Sequence, residues 1–150
     1  MLSDVASAIG KGLFAGMVGT AAMTLTSALE MKLNGRVASD SPSKAAGKVL
    51  GVQPRNPQGK AKFESIVHWG YGTAWGAARG LVALTGLRNP AAAGMIHLAA
   101  VWGVAQVMLP SLDVARPVSE WSAEEVAIDL FHHIVYVAAV GAAYDFIDRH

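Results

Sequence analysis

Apolar residues along this chain gather into four stretches near the length a membrane helix needs, about 20 residues each, divided by polar segments. The first runs from about Gly12 to Leu33 and is stopped by Asn34-Gly35. The second begins after Asn56-Pro57, an N-cap followed by proline at the first helical position, and ends at Gly86. The third opens the same way at Asn89-Pro90 and is stopped by Pro110. The fourth is opened by the capping box Ser122-Ala123-Glu124-Glu125 and runs to about Ile147. The predicted fold class is therefore all-α: an integral membrane four-helix bundle in a single domain. Its two helical hairpins cover about residues 4–87 and 88–150, and the turn Leu87 to Asn89 makes the second and third helices antiparallel neighbours.

The polar positions inside these stretches are not scattered. At about 100° per residue, Glu64, His68, Tyr71, Trp75 and Arg79 share one face of the second stretch. Beside that face runs a ridge of glycines, Gly72, Gly76 and Gly80, which lets another backbone approach closely. The first stretch offers Thr20, Thr24 and Ser27 in a row, with Glu30 near its end.

The pattern also repeats. Shifting the chain by 65 residues lays Glu64 on Asp129, His68 on His133, Tyr71 on Tyr136 and Gly76-Ala77-Ala78 on Gly141-Ala142-Ala143. A shift of 78 lays Gly16-Met17-Val18 on Gly94-Met95-Ile96 and Ala21-Ala22 on Ala99-Ala100. Two hairpins related by a parallel repeat, about an axis along the membrane normal, account for both shifts. Matching acid, imidazole and phenol groups then converge at the centre, with Glu30 and His132 near them. Toward the other side, Arg79 lies 15 residues beyond Glu64 and Asp145 lies 16 beyond Asp129, so both fall at a similar depth with His97. An unpaired arginine in hydrocarbon is costly, and Asp145 is the expected partner.

Composition agrees with lipid: 53% of residues are hydrophobic and only 15% charged, although the large alanine share keeps a soluble bundle open. Positive charge clusters on one side of the stretches. Lys32, Arg36, Lys44, Lys48, Arg55, Lys60, Lys62 and Arg116 flank or fill the two linkers, against Lys11, Arg88 and Arg149 opposite. The positive-inside rule places both linkers in the cytoplasm and both termini outside. Within residues 34–63, a short helix from Ser41-Pro42 to Gly51 carries Lys44 and Lys48; it reads as a headgroup-level helix or a solvated connector. The linker at residues 111–121 is shorter and acidic. The N-terminus lacks a basic region and a cleavage site, so the first stretch reads as retained. A net charge of +1 without basic patches among aromatics argues against a nucleic-acid partner.

No cysteine is present, which excludes thiolate chemistry, and there is no Walker loop, Rossmann fingerprint or Ser-His-Asp pattern, so the reading leans away from an enzyme. Three roles remain for the ionisable groups. Glu30, Glu64, His68, Asp129, His132 and His133 form a candidate ion, proton or divalent-metal site, supported by Tyr71, Tyr136, Arg79, His97 and Asp145. Carboxylate–imidazole sets suit zinc, iron or manganese, though the acid–His spacing of four departs from the three of di-iron bundles. A haem between His68 and His133 is a weaker alternative, and polar groups that merely lock the hairpins together are the bland one. Beyond the bilayer, the partners left open are a second copy of the chain or a larger membrane complex that the glycine ridges would pack against.

At Gly16-Met17 with Thr20-Ala21-Ala22-Met23, at Ser41-Pro42, at His68-Trp69-Gly70-Tyr71-Gly72 and at Pro110, the chain resembles the YagU-like bacterial inner-membrane proteins. That resemblance covers most of the chain and implies a multi-pass inner-membrane location and a role in stress, acid resistance among them. It implies no catalytic residues.

Overall fold

The structure, a computed structural model, describes residues 1–37 and 39–150; residue 38 of the first linker lies outside the described residues. Five α-helices follow in order: α1 (Leu2–Asn34), α2 (Ser41–Leu50), α3 (Pro57–Leu84), α4 (Pro90–Ser111) and α5 (Ala123–Arg149), with a 3-10 turn at Val118–Glu120 before the last. The expected punctuation acts as its chemistry requires. Gly35 and Gly51 take the left-handed conformation that ends α1 and α2, and the side chains of Asn56, Asn89 and Ser122 cap α3, α4 and α5. The capping box at Ser122 and Glu125 is closed in both directions.

Two boundaries differ from expectation. Helix α1 begins ten residues earlier than Gly12, because Leu2 to Lys11 continue without a breaker. Pro110 does not stop α4 but sits inside its last turn, and the helix ends one residue later. A proline there forfeits one hydrogen bond where the helix is closing anyway.

Helix α1 is the organising element. It packs along both α3 and α5, and α4 lies against α3 and α5. The α1–α3 seam is antiparallel and nearly free of side chains. A Cβ placed on Gly16 would meet the Thr73 carbonyl oxygen at 2.5 Å, one on Gly76 would strike the Gly12 carbonyl, and one on Gly80 would strike that of Ala8. Farther along, Gly72 abuts Thr20 and His68 reaches Thr24, so the two helices stay in register over most of their length. On its other side α1 receives Tyr136 and Val140 of α5 against Gly19. The apolar core is Ala15, Val101, Tyr136, Val137, Val140 and Tyr144, with Met23, Trp75 and Leu98 partly buried around it.

Three helices, α1, α4 and α5, are long and apolar enough to cross a membrane, where four stretches were expected. Helix α3 has the length, but its polar face lowers its hydropathy below theirs. The large apolar side chains that the fold leaves uncovered are distributed over every long helix: Phe14, Met17 and Leu25; Ile66 and Leu81; Met95 and Val107; Phe131 and Phe146. A surface of that kind is compatible with a membrane protein.

Helix α2 is tied across the linker end by Lys48, which lies 3.5 Å from the Asp113 carboxylate, and by the Ser41 hydroxyl on the Val114 carbonyl. Asp40 at its start accepts from Lys44 at 2.9 Å and lies 3.5 Å from Lys60.

Two outcomes test this packing. Gly76→Ala is expected to lose about 1–3 kcal/mol in a detergent unfolding titration, because the new methyl meets backbone that cannot move aside, whereas Gly141→Ala, with open space around it, stays near neutral. The Lys44 ammonium holds the Asp40 carboxyl below the usual carboxylate range, with a smaller effect of Lys60. Its contribution is therefore complete above the unfolded value of about 3.9 and is lost as pH falls through the lower folded value. Amide exchange in α2 should rise across that acid window and should already be faster at neutral pH in Asp40→Asn.

Candidate functional site

Ionisable groups occupy the inside of the helical assembly in two clusters. The first lies toward the linker end, where α1 finishes and α5 starts. Glu30, in the last turns of α1, accepts from Asn34 at 3.0 Å and is gripped by Arg36, whose Nε and Nη2 lie 3.1 and 2.8 Å from Oε2. His132 of α5, only 3% exposed, approaches the same carboxylate, with Nε2 at 3.7 Å from Oε2. Its other nitrogen, Nδ1, lies 3.2 Å from the Thr26 hydroxyl.

The tautomer of His132 follows from its neighbours. The hydroxyl of Thr26 has one hydrogen, and two α1 carbonyls, Met23 at 3.1 Å and Ala22 at 3.3 Å, compete for it. Thr26 oxygen thus accepts from His132, and Nδ1 carries the hydrogen. The neutral ring then directs the Nε2 lone pair at an ionised carboxylate. Two lone pairs face each other unless a proton lies between them. That nitrogen is one of three buried side-chain nitrogens or oxygens without a hydrogen-bond partner among the described residues, with His97 Nδ1 and Arg79 Nη1.

The remaining candidates of this end pair differently from expectation. His68 Nε2 lies 2.8 Å from the Thr24 hydroxyl, which donates to the Thr20 carbonyl, so the ring donates to Thr24. His133 donates Nδ1–H to the Asp129 carbonyl at 2.8 Å, and the Asp129 carboxylate accepts from the indole of Trp102 at 2.7 Å. Each imidazole is thus hydrogen-bonded through one ring nitrogen, at its own helix or at a neighbouring one. Glu64 is half-buried and lies 3.5 Å from Lys60, one turn earlier on α3, and Tyr71 is exposed, edge-on to Trp75. Both were expected to converge inward with their counterparts on α5; of those counterparts Tyr136 does reach α3, at the Gly72 carbonyl, and Asp129 accepts from Trp102 of α4. Among the described residues no three acidic or histidine side chains come together as metal ligands.

The second cluster is the expected Arg79–Asp145 pair, at 2.5 Å, with the guanidinium carbon of Arg79 4.5 Å from the centre of the Tyr144 ring. Lys11 and Asp148, 2.8 Å apart, flank it at the opposite end from the linkers. Between the clusters, Tyr136 donates its hydroxyl to the Gly72 carbonyl and His97 is fully buried against the Trp75 carbonyl at 3.0 Å.

Three participants were not read from the sequence. Thr26 and Arg36 lie off the Thr20–Thr24–Ser27 row and past the helix end. Trp102 reads as an interface anchor, although its indole N–H needs an acceptor when buried, and that was the available signal.

No family model matches the chain, and no curated protein or solved structure is significantly similar to it.

The buried ion pair makes a direct test. Arg79→Gln should destabilise by about 3–5 kcal/mol, because Asp145 is left uncompensated, whereas the double change Arg79→Met with Asp145→Leu should recover most of the loss. Equal destabilisation by single and double variants, measured by unfolding in mixed micelles, would contradict the pairing.

Proposed function

We propose that this protein is a small multi-pass membrane protein that takes up protons at the Glu30–His132 pair and passes them along its interior. The observation that carries this reading is the His132 geometry. With Nδ1–H committed to Thr26, Nε2 has no hydrogen-bond partner and faces Glu30 Oε2 at 3.7 Å, so a proton taken up there turns the contact into an ion pair. Ionisable groups held inside a membrane are expensive, which favours a functional reason for placing them there. Imidazole exchanges protons near neutral pH.

Four crossings are part of the proposal. Helix α3 is less apolar than the others, but its glycines run in register along α1, so a bilayer that holds α1 holds α3 at the same depth. The repeat also belongs here, and three contacts support it under the shifts of 65 and 78 residues. The contact of Gly16 with Gly72 corresponds to that of Gly94 with Val137. Thr24, which bonds His68, corresponds to Trp102, which bonds the acid four residues before His133. Arg79 corresponds to Tyr144, and the two lie against each other, as equivalent groups near a two-fold axis would. The charge on the linkers favours a cytoplasmic linker side, and the resemblance to YagU-like proteins favours a bacterial inner membrane.

Vesicles containing the purified protein and an internal pH dye test the function. An imposed potential should drive dye-detected proton movement, reduced at least about tenfold in Glu30→Gln and in His132→Gln. Glu64→Gln, which alters the carboxylate beside Lys60, should behave as the unaltered protein. Movement no faster than in protein-free vesicles overturns the proposal.

A further inference from the structure

Two of the three unpartnered buried nitrogens lie beyond the proton pair. His97 is 0% exposed and Arg79 5%. The Trp75 carbonyl can only accept, so His97 Nε2 carries the hydrogen of that 3.0 Å bond. The neutral ring's lone pair is therefore on Nδ1, which meets no donor. Arg79 gives Nη2 to Asp145 and its face to Tyr144, while Nη1–H meets no acceptor.

These two needs are complementary. Trp75 and Arg79 are four residues apart on α3 and share its inner face, so an imidazole tethered at Trp75 stands about 6 Å along the helix from the Arg79 level. Each unmet polar atom costs about 1–3 kcal/mol. A molecule with an O–H to give and a lone pair to receive satisfies both, and buried groups of this kind are commonly met by ordered water. The rings beside the two groups, Tyr136 at His97 and Tyr144 at Arg79, are apolar apart from their hydroxyls. The Arg79–Asp145 pair is already balanced in charge, so a neutral molecule fits here without leaving a further charge unpaired.

We infer that His97 and Arg79 form an internal binding site for a small neutral hydroxylic molecule, water foremost, at the meeting of α3, α4 and α5. The site bridges the apolar stretch between the linker-end cluster and the Arg79–Asp145 pair. Only that bridging role rests on the proton reading above; the binding site itself does not.

Magic-angle-spinning NMR of the full chain in lipid, with nitrogen-15 in histidine and arginine and water as the probe, tests the inference. His97 should show a protonated Nε2 and a bare Nδ1, with polarisation passing from water to both His97 and the Arg79 Nη signals. His97→Phe should abolish the water transfer to Arg79. A protonated Nδ1, absence of water transfer in the unaltered protein, or unchanged transfer to Arg79 in His97→Phe would overturn it. Should His97→Phe not fold, the spectrum of the unaltered protein decides alone. The same samples separate the two proposals. A His132 resonance indifferent to Glu30→Gln sinks the proton pair and leaves the inner site standing, while a His97 without water does the reverse.

Discussion

The fold depends on how closely α1 and α3 approach. Gly12, Gly16, Gly76 and Gly80 bring backbone against backbone, so that carbonyl oxygens of one helix touch the α-carbons of the other. Lipid supplies little hydrophobic drive between apolar helices, and such contacts hold them by dispersion and weak Cα–H···O interactions. Because α1 is slim there, it can also receive α5 on its opposite side at Gly19. One helix thereby sets the spacing of its two largest neighbours, and with it the position of every interior polar group they carry.

That spacing explains why the ionisable groups pair as they do. Helices α3 and α5 meet directly at Gly72 with Tyr136 and at Arg79 with Asp145, but toward the linker end their histidines turn to α1. There the threonines of α1, which packs along both helices, become the common partners: Thr24 for His68 and Thr26 for His132. A helical threonine spends its hydrogen on a carbonyl of its own helix and keeps only an acceptor to offer. Each imidazole bonded to one is thereby oriented, and in His132 the free nitrogen is the one aimed at Glu30.

Much of the helical framework was legible in the sequence, because caps and glycines act locally. Asn56, Asn89 and the Ser122 box mark starts that need no tertiary context, and the partner of Arg79 followed from helical depth alone. The inner site was legible only as a list of residue types. Which helix lies beside which, and therefore that His68 meets Thr24 of α1, depends on how closely the glycines let two backbones approach, and no periodicity encodes that. Arg36 and Thr26 became visible only once the end of α1 was placed beside α5. Pro110 shows the opposite error, a strong local signal overridden because a helix about to end tolerates it.

The contact between Gly94 and Val137 carries a consequence for motion. Where the first hairpin sets glycine against glycine, the second sets Gly94 near the branched Val137, with room left for a methyl group on the glycine. The α1–α3 pair is therefore the more tightly packed of the two, and a shift of α4 along α5 meets less resistance than one of α1 along α3. His97 rides on the looser helix yet is tethered to the stiffer one through the Trp75 carbonyl, so small excursions of α4 would stretch or release that single bond and switch the inner site between connected and isolated states.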